Sequence, residues 1–172
     1  QLFVVGFFTY SVSLLVAPVR AEFGVSLEQV MYSLTSATFL GLFLQPLGGF
    51  LIDRYSVRII MITGTLLCAL GLYALAASTS ITQYILAFAL TMSVSSSLVG
   101  PMSSSAVISR WFSSSRGRAL GIAALGTSVG GVLIPALISH WLGEGGWRVA
   151  VQNLSYCILL IMLPAVILTI RS

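Results

Sequence analysis

Long apolar runs, broken by short clusters of polar and basic residues, make up nearly the whole chain. A bilayer core about 30 Å thick takes roughly 20 apolar residues at the helical rise. Six runs of that order occur, at about 2–19, 29–52, 57–78, 82–109, 117–142 and 148–170. The breaks between them are short: Arg20 to Gly24 with Glu28, Asp53 to Arg58, Ser78 to Ser80, Arg110 to Arg118, and Gly143 to Arg148. A segment in lipid must satisfy its own backbone N–H and C=O groups, which a helix does. Residues 1–172 are therefore expected to be all-α, one membrane bundle of six transmembrane helices.

Composition agrees with that class. The chain is 58% hydrophobic and 7% charged, with a mean hydropathy of +1.05, whereas soluble domains carry about 25% charged residues. A net charge of +4 would hint at nucleic acid in a soluble protein. Here the position of each arginine matters more than the total. The even-numbered loops and the C-terminal end hold Arg54, Arg58, Arg110, Arg116, Arg118 and Arg171, against Arg20 and Arg148 in the odd-numbered loops. By the positive-inside rule the even loops and both termini face the cytoplasm, with Glu22, Glu28 and Glu144 outside. Trp111 and Trp147 then fall at the inner and outer interfaces, where indole rings sit well. A multi-pass protein of the plasma or inner membrane is expected. The chain runs from Gln1 to Ser172, directly after the last apolar run, as expected of a sequence trimmed to its membrane part.

Candidate chemistry is sparse. Cys68 and Cys157 lie inside apolar runs and read as buried thiols, not a disulfide or a metal site, and no cofactor is indicated. The Gly126-Thr127-Ser128-Val129-Gly130 stretch matches Gly-x-Ser-x-Gly, and His140 is the one histidine. On a single helix, however, Ser128 and His140 would stand about 18 Å apart, far beyond proton-transfer reach. No strand precedes the motif as a nucleophile elbow requires, so an enzyme is not expected. Asn153-Leu154-Ser155 is a glycosylation sequon only on paper, because it lies inside the sixth run.

Polar stripes carry more. Ser93, Ser96, Ser97, Gly100, Ser103 and Ser104 recur at steps of three and four in the fourth run, and Thr38, Gly41, Gln45 and Gly48 share a face of the second. The first run offers Thr9, Tyr10 and Ser13. Such patterns line cavities or let helix backbones approach closely, and Gly121, Gly126 and Gly130 read as packing positions. No Asp, Glu, Lys or Arg occupies the middle of a run, so the chain supplies no evident proton relay or fixed countercharge.

Landmarks also recur at an offset of 89 or 90 residues: Arg20 and Arg110, Gly41 and Gly130, Pro46 and Pro135, Arg58 and Arg148. Three crossings is an odd number, so a copy shifted by one such unit lies inverted in the membrane, giving a 3+3 inverted repeat.

The loop Gly49-Phe50-Leu51-Ile52-Asp53-Arg54-Tyr55-Ser56-Val57-Arg58 resembles the signature Gly-x-Leu-x-Asp-Arg-x-Gly-Arg-Arg of the major facilitator superfamily. Gly49, Leu51, Asp53, Arg54 and Arg58 match it, while Ser56 and Val57 depart from it. The fourth loop, Arg110-Trp111-Phe112 through Arg116-Gly117-Arg118-Ala119-Leu120-Gly121, is similar to the monocarboxylate and oxalate–formate branch. The resemblance implies the N-terminal half of a twelve-helix carrier. Such a protein performs secondary active or facilitative transport of a small organic solute by alternating access, with a carboxylate the best single guess. Its partners are the solute, the lipid bilayer and a second six-helix bundle, either a C-terminal half or a second copy.

By the same resemblance, Asp53, Arg54 and Arg58, beside Gly49, form a latch on that second bundle. Arg110, Arg116 and Arg118 serve gating or anchoring to anionic lipid, and Tyr10, Ser13, Gln45, Ser93, Ser97 and Ser104 contact solute. The fourth run lacks the arginine common in proton-driven drug exporters, and Gly130-Gly131 precedes Pro135 in place of an antiporter's Gly-Pro-x-x-Gly-Gly. Both disfavour a drug exporter. The alternative from another class is a non-transporting assembly or structural subunit, with its stripes used only for packing.

Overall fold

The computed structural model describes residues 2–111 and 115–169, with the side chains of Met102, Val107, Ser109, Arg110, Trp111, Arg116 and Thr169 left aside. Among the described residues every regular element is helical. Helix α1 spans Leu2–Phe23, α2 Leu27–Arg54 and α3 Val57–Ala76. Helix α4 runs Ile81–Val99 and resumes after Gly100 as Pro101–Trp111. The continuous assignment Arg116–Cys157 joins two helices across a kink at Gly146. We label them α5 (116–145) and α6 (147–169, with its continuation). Among the described residues five stretches are long and apolar enough to cross a membrane, the fifth being Gly117–Leu168 with 52 residues.

Local chemistry accounts for the breaks. Gly24 adopts φ 63° and its N–H bonds to Arg20 O, a left-handed cap that ends α1 four residues past the apolar run. Ser26 and Gln29 form a reciprocal capping box at 3.3 and 3.0 Å, which starts α2 two residues before its apolar run. Ser80 caps α4 by accepting from Gln83 N at 3.3 Å. The fourth run, expected as one helix, breaks at Gly100 because Pro101 has no N–H to donate and drives the preceding residue to extended geometry, here φ −73°, ψ −168°. The fifth loop, expected over Gly143 to Arg148, is helical except at Gly146, whose φ 79°, ψ −178° belongs to a region essentially restricted to glycine.

Lipid removes most of the hydrophobic drive between helices, so small residues and interhelical hydrogen bonds set the packing. The α2–α4 pair is the most extensive. A Cβ at Gly48 would lie 2.8 Å from Ser97 O, and Ser93 Oγ donates to Ala37 O at 2.7 Å. Helix α3 abuts α4 through Gly71, where a Cβ would collide with Thr91. It abuts α6 through Ser155 Oγ donating to Ala69 O at 2.8 Å. Helices α1 and α5 meet where a Cβ at Gly6 would stand 2.6 Å from Ile134 Cγ1.

One end of the bundle is tied by Arg148, whose Nε and Nη2 donate to Glu22 Oε1 at 2.9 and 2.7 Å and whose Nη1 donates to Ala76 O. Trp147 donates to the same carboxylate, and its ring packs edge-on to Tyr84 at 5.6 Å. At the opposite end Arg58 Nη2 donates to Ile167 O at 3.0 Å.

Candidate functional site: an uncharged cleft system along helix α2

Helix α2 is the least enclosed candidate span, with 22% of its apolar window buried against 50% for α3. Three clefts adjoin along it. One of about 450 Å³ lies between α2 and α4, walled by Thr38, Gly41, Gln45, Pro46 and Gly49 from α2 and by Met92, Ser93 and Ser96 from α4. A second, about 410 Å³, lies between α1 and α2 and includes Thr9, Ser13, Val16, Met31 and Leu34. A third, about 440 Å³, shares Leu34 with the second and Thr38 and Leu42 with the first. No lining residue of the three is ionisable. The walls therefore offer hydroxyls, one primary amide and apolar surface to a ligand, and no fixed charge.

The candidate residues distribute unevenly. Gln45 is exposed in the first cleft, and Ser13 is exposed in the second. Ser93 borders the first cleft but is 2% exposed, and its hydroxyl donates to Ala37 O and Ala89 O, both at 2.7 Å. It forms wall more than hook. Ser97 is buried behind Gly48 and donates to Val94 O at 3.0 Å. Ser104 donates to Gly100 O at 3.2 Å. Tyr10 is half exposed and lies on α5, its ring at 3.1–3.3 Å from where a Cβ at Gly131 would stand. Thr9, Thr38 and Ser96 line the clefts without having been singled out for solute contact. Ser96 lies three residues past Ser93, and Thr38 seven before Gln45, so helical spacing from the chosen positions marks them.

In the last turn of α2 Asp53 and Arg54 are exposed, and the Arg54 guanidinium stands 5.7 Å from the centre of the Phe50 ring. Arg58 is engaged within the bundle at Ile167 O. Gly49 borders the first cleft, and a Cβ there would meet nothing within 4 Å. Arg118 is exposed, while the Arg110 and Arg116 side chains lie outside those described. Among the described residues no group of three or more His, Cys, Asp or Glu is placed to hold a metal ion.

Comparison with known proteins agrees with this architecture. The family model of the Major Facilitator Superfamily matches residues 1–171. A fujikurins efflux protein of Gibberella fujikuroi is 33% identical over 117 residues, which is 67% of this chain and 25% of that protein. A riboflavin transporter of Trypanosoma cruzi is 34% identical over 102 residues, 58% of this chain and 21% of that protein. A riboflavin transporter of Saccharomyces cerevisiae is 39% identical over 93 residues, 54% of this chain and 18% of that protein. The matched stretch thus spans about a quarter or less of these relatives' own length. No solved structure matches significantly. A helical bundle with membrane-length apolar helices, an open uncharged cleft system and a family match over nearly its whole length belongs to the major facilitator superfamily.

Proposed function

We propose that the chain is the N-terminal six-helix half of a carrier that moves a small organic solute across a membrane by alternating access, and that it is not an enzyme. The observation that carries the reading is the α2–α4 cleft, with Thr38, Gln45 and Ser96 on an otherwise apolar wall in a bundle of this superfamily. Six crossings follow if the chain reverses at Gly146. The contacts support that: Trp147 and Arg148 meet the Gly24 end of α1, Gly130 abuts Leu2 near the other end, and Ile167 returns to Arg58. The arginine distribution supports cytoplasmic termini, and the 89–90-residue offset supports a 3+3 inverted repeat. A second bundle, as a C-terminal half or a second copy, completes the cavity.

The solute is small and largely uncharged, with an extended apolar face. Hydroxyls and an amide set in apolar surface suit such a molecule, and relatives are named for riboflavin transport and for efflux of fujikurins. A carboxylate solute would need its cation from the second bundle, because the three clefts hold none. A non-transporting assembly subunit is favoured by one observation, that Ser93, Ser97 and Ser104 all spend their hydroxyls on backbone carbonyls.

Flux separates the two. Full-length protein in proteoliposomes is expected to take up radiolabelled riboflavin saturably, and Gln45→Leu is expected to raise KM. Uptake no faster than in empty liposomes, for riboflavin and for a panel of uncharged aromatic solutes, favours the assembly subunit.

A further inference from the structure

Helix α1 departs from regular geometry at Gly6–Ser11, which form a π-helical turn. Such a turn holds one residue more than an α-turn and recurs at functional sites. Ser11 is fully buried, and its hydroxyl donates to Gly6 O at 2.9 Å, tying the two ends of the widened turn together. The turn is seated on α5: a Cβ at Gly6 would stand 2.6 Å from Ile134 Cγ1 and 2.7 Å from Gly130 O, and a Cβ at Gly130 would collide with Leu2 O. Apart from Ile134 Cγ1, these close atoms belong to backbone, which leaves no room for a side chain at either glycine. Gly131, one residue on, differs. The three atoms nearest its missing Cβ all belong to the Tyr10 ring, Cε2, Cδ2 and Cζ at 3.1–3.3 Å, a separation that a ring can relieve by swinging a few tenths of an ångström. Tyr10 is 47% exposed, so it has room to move. Thr9 and Ser13, its neighbours on α1, line the α1–α2 cleft.

We propose that Gly131 determines which solutes the carrier accepts, by leaving the space on α5 that the Tyr10 ring occupies, while the Ser11-closed π-turn fixes the backbone from which that ring projects. Gly131 touches no solute and acts through Tyr10. A larger residue at 131 lifts the ring away from α5 and narrows the space beside α1, so bulky solutes lose affinity first. The inference rests on the transport reading above for its consequence, but not for the ring placement.

The test uses the full-length transporter labelled with 3-fluorotyrosine, with the Tyr10 resonance assigned by its loss in Tyr10→Phe. Gly131→Ala is expected to shift that resonance and, in proteoliposomes, to raise the KM for riboflavin several-fold with a smaller change in turnover. In a Tyr10→Leu background the same substitution is expected to leave KM unchanged. An unmoved resonance overturns the proposal, as does an equal KM effect in the Tyr10→Leu background. If the parent carries no riboflavin, the solute reading fails, and the resonance alone decides whether Gly131 seats Tyr10. Should Gly131→Ala not fold, the same substitution in the Tyr10→Leu background, which removes the ring its methyl group would strike, is expected to restore folding. Continued misfolding there overturns the proposal.

Discussion

Arg58 and Arg148 each cap the helix that the other begins. Arg58, second residue of α3, donates to Ile167 O in the last described turn of α6 at 3.0 Å, and Arg148, second residue of α6, donates to Ala76 O at the end of α3. The two arginines are 90 residues apart and their acceptors 91, from 148 − 58 and 167 − 76. Terminal carbonyls lack intrahelical partners and carry the negative end of the helix dipole, so a guanidinium at each satisfies both needs. Reciprocity of this kind is expected of two antiparallel helices related by an inverted repeat, and it supports the six-crossing arrangement proposed above.

The two ends of this pair are not equally strong. Arg148 also binds Glu22 through two donors and stacks 4.5 Å from the centre of the Trp147 ring. The Glu22 pairing is partly solvent-screened and contributes modestly. Arg148→Ala is expected to lower stability by about 1–2 kcal/mol and Arg58→Ala by about half as much. Thermal unfolding of the full-length protein in detergent measures both, and a larger loss at Arg58 contradicts the ranking.

Gly146 sits at a backbone geometry that a Cβ strains, whereas Gly143, three residues earlier in the helix, faces open space. Gly146→Ala is expected to cost about 1–3 kcal/mol. Gly143→Ala is expected to be neutral or to stabilise by up to roughly 1 kcal/mol, as alanine does within a helix. The same unfolding assay separates them.

Neighbouring glycines on α2 make a similar contrast. Gly48→Ala drives a methyl group to 2.8 Å from Ser97 O, and Gly49→Ala meets nothing within 4 Å inside this bundle. Gly48→Ala is expected to reduce the yield of folded, monodisperse protein on size-exclusion chromatography, and Gly49→Ala to leave the yield intact. If Gly49→Ala nevertheless alters flux, the effect arises outside the packing of this bundle, at the cleft that Gly49 borders or at the second bundle.

Asp53→Asn tests the proposed latch. It is expected to slow solute flux in reconstituted vesicles while leaving the binding constant near that of the parent, because Asp53 is exposed in the last turn of α2 and is not among the cleft-lining residues. Unchanged flux counts against the latch.

The helices could be read from the chain because apolar runs of bilayer length have few alternatives, and the turn at Gly24 and the capping box at Ser26 lie where polar residues interrupt those runs. The break at Gly100 had a signal in the Gly100-Pro101 pair, which the surrounding serine stripe obscured. The π-turn at Gly6–Ser11 had none, because residue spacing along one helix carries no mark of a widened turn or of its close approach to α5 at Gly6. For the candidate site, spacing pointed to Gln45 and Ser13, which line clefts, but did not separate cleft-lining Ser96 from buried Ser93 and Ser97. Those serines lie within one and a half turns of one helix, and only the placement of α2 decides which of them reach open space.

Side-specific labelling at Gln45 tests alternating access around the α2–α4 cleft most directly. In full-length protein bearing Gln45→Cys and no other reactive cysteine, an impermeant maleimide is predicted to react when supplied from either side of the vesicle, and transported solute to slow both reactions. Reaction from one side only, unaffected by solute, or only with a membrane-permeant reagent, contradicts it.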